Sequence, residues 1–119
     1  MRAAQSIFIQ IAETIKDRIL SGEYAVNERI PSVRDVAVEV EVNPNTAMKA
    51  FELLQREELI YNKRGMGYFV SPEAPAKIIE GRKALLKEVT LPELFHEMTL
   101  LGISPEEIME GYKKYRDNH

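Results

Sequence analysis

Apolar residues at Ile7, Ile11, Ile15 and Ile19, with Ala12 beside them, recur every four positions and predict a helix whose inward face runs until Gly22 stops it. A second helix is predicted from Pro31-Ser32-Val33-Arg34-Asp35. Ser32 can accept from the amide three residues on, Asp35 can reach back to the cap, and Val33, Val36, Ala37 and Val40 supply the stripe. A third starts at Asn43-Pro44-Asn45-Thr46, with Asn43 as N-cap and Pro44 at the first helical position, where its missing N–H costs nothing. Glu41 and Val42 alone separate the second stripe from this cap, and two helices joined by so tight a turn form a helix-turn-helix.

The third helix divides into two halves at about 100° per residue. Ala47, Ala50, Phe51 and Leu54 form its core side, while Asn45, Thr46, Met48, Lys49 and Glu52 form the other. The polar half offers amides, a hydroxyl and an ammonium near a helix N-terminus. Free N–H groups and the macrodipole attract phosphate there, and asparagine can pair with adenine in the major groove. Any solvated surface helix could show such a first turn, so the next segment matters. Leu59-Ile60-Tyr61 and Gly67-Tyr68-Phe69-Val70 are β-prone runs around Asn62-Lys63-Arg64-Gly65-Met66, a basic hairpin directly after the helix-turn-helix. A hairpin in that place is the wing of a winged helix. Lys63 and Arg64 can sit over a phosphate backbone or enter the minor groove, and Gly65 lets the backbone approach closely.

The chain changes character at Ser71-Pro72-Glu73-Ala74-Pro75, so a boundary is placed between a winged-helix part, residues 1–72, and a helical tail, residues 73–119. The tail predicts a helix through Ile78, Ile79, Leu85, Leu86 and Val89 and a second opened by a capping box at Thr90-Leu91-Pro92-Glu93 and stopped by Gly102. A third is opened by Ser104-Pro105-Glu106-Glu107. It is too short for a ligand-binding domain. Leu94, Met98 and Leu101 on one helix and Ile108, Tyr112 and Tyr115 on the next make apolar stripes that a small winged helix cannot cover, so they are expected to dimerise.

With 119 residues there is room for one domain and an appendage, and the longest stretch without a charge, Ala3 to Ala12, is far short of a membrane span of about 20 residues. No small-residue cleavage site follows that stretch, so a cytoplasmic protein is expected. The absence of cysteine excludes disulfides, thiol nucleophiles and cysteine-based zinc sites. His96, beside Glu93 and Glu97, lacks the convergent ligands of a metal site, and no nucleophile has an orienting base. Neither an enzyme nor a cofactor or metal is expected. A net charge of −3 argues against nonspecific coating of nucleic acid but leaves room for a locally basic face.

Ile9-Gln10-Ile11-Ala12, Ser21-Gly22-Glu23-Tyr24, Ile30-Pro31-Ser32-Val33-Arg34-Asp35-Val36-Ala37, Val42-Asn43-Pro44-Asn45-Thr46, Leu53-Leu54 and Arg64-Gly65-Met66-Gly67-Tyr68-Phe69-Val70 together resemble, in order and spacing, the DNA-binding domain of GntR-family transcription regulators. The Asn-Pro-Asn-Thr opening and the short tail are similar to the YtrA-like subgroup. The resemblance implies that Arg34 reaches the major groove beside the recognition helix, that Asn45, Thr46 and Lys49 work from that helix, and that Arg64 with Gly65 serves the wing. In that subgroup the tail forms the dimer. Pro44 and Met48 stand where other branches carry arginines, Asn27 and Glu58 where glycine is frequent, and Met66 where the wing is commonly basic. Asn tolerates a left-handed backbone, whereas Glu58 is expected either to bear the left-handed cost or to change the helix end.

The expected molecule is mainly α, a winged helix-turn-helix with a small β-hairpin wing and an all-helical dimerisation tail. Its expected function is that of a homodimeric repressor on a palindromic operator. Candidate contacts to double-stranded DNA are Ser32, Arg34, Asn43, Asn45, Thr46, Lys49, Lys63, Arg64 and Gly65. The alternative is a winged helix used only for protein contacts. The residues name no small-molecule effector.

Overall fold

The computed structural model describes residues 5–119. Three helices, α1 Ile7–Ser21, α2 Val33–Glu39 and α3 Pro44–Arg56, precede an antiparallel hairpin of β1 Ile60–Lys63 and β2 Gly67–Val70. Helices α4 Ala74–Leu85, α5 Leu91–Leu101 and α6 Pro105–Asn118 follow. The chain divides into two compact units, one through Gly81 and one from Arg82 to His119.

In the first unit α1, α2 and α3 enclose a core in which Phe51, Ile15, Leu54, Ile60 and Val70 are fully buried. Each such side chain contributes about 1.5–3 kcal/mol by leaving water. Tyr68 meets the Phe51 ring edge-on at 5.1 Å, fixing the hairpin to α3. The predicted stripe of α1 holds at Ile11, Ala12, Ile15 and Ile19, but Ile7 is 56% exposed. A spacing of four advances about 40° per step around a 3.6-residue helix, which carries Ile7 off the edge of the inward face.

Hairpin register pairs Ile60 with Val70, Tyr61 with Phe69, Asn62 with Tyr68 and Lys63 with Gly67. Asn62 and Lys63 are therefore strand residues, and the turn is Arg64-Gly65-Met66. The other edge of β2 is also occupied, by a segment that periodicity did not mark. Asn27 N–H donates to the Val70 carbonyl at 2.8 Å, Val70 N–H to Glu28 at 3.1 Å, and Ile30 N–H to Tyr68 at 2.9 Å. Backbone groups of β2 thus find partners on both sides.

The core also takes in Ala74 and Ile78, so the first unit continues past the boundary expected at residue 72. Pro75 lies in the first turn of α4, where proline suits a helix start. The Pro-containing stretch is a helix opening, not a linker. In the second unit α6 starts as expected, with Ser104 Oγ accepting from Glu107 N–H at 3.2 Å, and Gly102 closes α5 in the left-handed conformation. The capping box expected at Thr90 is not formed. Thr90 has helical dihedrals and no side-chain cap bond, and Leu86–Thr90 is a π-helical turn that runs from α4 straight into α5. Pro92 explains it: proline donates no hydrogen bond and its ring crowds the carbonyl four residues back, so the ladder widens just before it.

Candidate nucleic-acid interface

α2 begins with a complete capping box, Ser32 Oγ accepting from Asp35 N–H at 3.1 Å and the Asp35 carboxylate accepting from Ser32 N–H at 3.3 Å. α3 begins with Asn43 Oδ1 accepting from Asn45 N–H at 2.8 Å, with Pro44 in the first turn. Ser32 and Asn43 therefore hold the two helix starts, and the Ser32 hydroxyl and the Asn43 amide retain donors for a further partner. Between the helices Val42 N–H donates to Ala37 at 3.0 Å and Glu41 takes φ 56°, a left-handed closure that turns the chain within two residues.

On α3, Ala47, Ala50, Phe51 and Leu54 are buried, while Asn45, Met48, Lys49 and Glu52 are exposed and Thr46 is half-buried. The two predicted halves are the observed ones. Arg34, exposed on α2, borders a shallow groove with Ala37, Val38, Val42 and Pro44 at the start of α3. On the hairpin Lys63 and Arg64 are exposed, and Gly65 has φ 77°, a value that favours glycine.

Cations divide by task. Arg18 hydrogen-bonds the Glu39 carboxylate at 2.7 Å and the Tyr24 hydroxyl at 2.9 Å, joining α1 to α2, and these partners raise its pKa. For Lys16, burial favours the neutral amine, but Glu13 at 3.0 Å and Glu57 at 3.1 Å outweigh it, so its pKa is raised. Arg34, Lys49, Lys63 and Arg64 are exposed and make no ion pair among the described residues. Lys63 instead lies over the Phe69 ring, its Nζ 4.6 Å from the centroid. A residue that sequence reasoning passed over, Arg29, lies against Gly67 on the same hairpin; only the pairing of its segment with β2 reveals it.

The sequence profile of the gntR family of bacterial regulatory proteins matches residues 9–70, from within α1 to the end of β2. The chain belongs to the GntR family. The HTH-type transcriptional regulator YhcF of Bacillus subtilis is 30% identical over 116 residues, spanning 98% of this chain and 94% of that protein. The HTH-type transcriptional repressor YtrA of B. subtilis is 33% identical over 113 residues, spanning 95% and 86%. A crystal structure of a GntR-family transcriptional regulator from Bacteroides thetaiotaomicron is 44% identical, with a TM-score of 0.75 over 95% of this chain and 98% of that one. Both relatives and the structural neighbour are matched along the tail as well as the winged helix. This GntR protein is a DNA-binding transcriptional regulator, not an enzyme, and it belongs to the YtrA subgroup.

Proposed function

We propose that this regulator is a homodimeric repressor that occupies a palindromic operator. The observation that carries the dimer is the second unit, in which no described residue is buried. Leu101 is 66% exposed, Tyr112 58% and Tyr115 61%, while Leu94 and Met98 are half-buried and Ile108 is 37% exposed. Helices that bury none of these residues fully within one chain gain by covering them against a second copy. Repression is supported by the similarity to YtrA along nearly the whole chain.

Each winged helix would place α3 in the major groove, with Asn45 and Thr46 at base edges and Lys49 on phosphate. Arg34 would approach from beside it, with the Ser32 and Asn43 donors free for phosphate. Arg64 and Gly65 would follow the adjacent minor groove, and Lys63 the backbone. Tail pairing would set the half-site spacing at about one helical turn, or a multiple of it.

Sedimentation of the full chain, followed by titration with palindromic duplexes from its own promoter region, is the test. The expected result is a dimer in solution and two protomers per duplex. A monomer that saturates a palindrome at one protomer would overturn the proposal.

A further inference from the structure

The outward face of the wing carries a cluster that the helix-turn-helix does not use. Tyr61 pairs with Phe69 and Lys63 with Gly67 across the hairpin, and Arg29 is bridged to Phe69 from the other edge of β2. Residues opposite in register, or two apart on a strand, share a face. Arg29, Tyr61, Lys63, Gly67 and Phe69 therefore lie on one side of the sheet, and Ile60 and Val70 point from the other into the core. The Tyr61 and Phe69 rings stack at 5.7 Å and 20°, and Lys63 rests over Phe69. Arg29 lies so close to Gly67 that a Cβ there would come within 3.2 Å of its Nε.

Two cations are thus seated near the tip of one face, Lys63 on a ring and Arg29 on a glycine. Neither has an ion pair among the described residues. Packing limits the side-chain freedom each would lose on binding, and an anion between like charges relieves their repulsion. Arg29 precedes Ser32, the cap of α2, by three residues, and Gly67 follows Arg64 by three, so the pair lies between the wing tip and the start of the helix-turn-helix.

We propose that Arg29 and Lys63 form a clip for a DNA backbone phosphate on the outer face of the wing, with Gly67 as the seat that lets Arg29 lie flat. Arg29 is then a backbone contact that strengthens binding to every sequence alike. The inference rests on the DNA-binding role of the protein and is independent of dimerisation.

Arg29→Met keeps the aliphatic stem and removes the charge. The full chain and this variant are titrated, across salt concentrations of about 50 to 200 mM, with a duplex selected by the protein from a random pool and a random-sequence duplex of equal length. The expected result is an equal fold-loss on both duplexes and a log–log salt slope shallower by about 0.9 per bound protomer. Gly67→Ala, which crowds Arg29, should shift the slope in the same direction; if it fails to fold, Arg29→Met decides alone. An unchanged slope for Arg29→Met, or a loss confined to the selected duplex, overturns the clip and leaves the DNA-binding role standing. A wild-type chain with no affinity for either duplex overturns both.

Discussion

Glu41, Glu58 and Gly102 close three helices in the same left-handed conformation, at φ 56°, 61° and 67°. In each case the next amide reaches back five residues, Val42 to Ala37 at 3.0 Å, Leu59 to Leu54 at 2.9 Å and Ile103 to Met98 at 3.0 Å, the bond of a Schellman end. Glycine bears this conformation without strain, whereas a side chain costs about 1–2 kcal/mol. Glu58 bears that cost because the turn it makes delivers Leu59 and Ile60 into the core. Its salt bridge to Lys77, 3.0 Å long, is exposed and worth little. Glu58→Gly is therefore expected to stabilise the protein by about 0.5–1 kcal/mol, after the extra freedom of the unfolded glycine is subtracted. Thermal unfolding should show a midpoint a few degrees higher, and a lower midpoint would show that the helix end is not strained. Asn45 and Lys49 separate two other terms. Asn45→Ala should cost about 1–3 kcal/mol on a preferred duplex and little on random DNA, whereas Lys49→Ala should weaken both, as parallel titrations would reveal. Equal losses on every sequence would refute that division.

At the scale of elements, α4 joins the winged-helix core before it leads into the tail. Ala74 and Ile78 are buried with Ile15, Phe51 and Leu54, and Lys77 reaches Glu58 at the end of α3. A chain ending at Gly81 should keep the winged helix at nearly full stability, because the residues that close its core are all present. A chain ending at Val70 should lose about 2–5 kcal/mol, the cost of removing a large aliphatic side chain from a packed site. Denaturant unfolding of the two truncated chains is the measurement, and equal stability would show that α4 does not seal this core. Composition marked Ser71 to Pro75 as a break because proline and serine punctuate chains. The same residues open a helix as readily, and only the burial of Ala74 and Ile78 decides between the two. The π-helical turn at Leu86–Thr90 was hidden for a similar reason. Thr90 and Glu93 have the spacing of a cap, but a cap needs the chain to leave helical dihedrals at Thr90, and it does not.

Across the whole molecule, 19 acidic residues outnumber 16 basic ones, yet binding to a polyanion does not require a basic chain. Glu13, Glu39 and Glu57 are engaged with Lys16 and Arg18, which brace α1 against α2 and α3, while the cations of the hairpin and of the outer halves of α2 and α3 have no acidic partner among the described residues. Local arrangement, not net charge, decides whether a chain presents a basic face. Periodicity, caps and turn residues in the sequence were enough to determine α1, α2 and α3, the capped starts of α2 and α3, the polar half of α3 and the hairpin, because each depends on residues within a few positions of one another. The pairing on the second edge of β2, the left-handed Glu41, the burial of Ala74 and Ile78 and the seat of Arg29 on Gly67 were settled by tertiary structure alone. Each joins segments distant in the chain, or imposes a backbone that its own residue type disfavours, and only the packing free energy of the folded core can select such an arrangement.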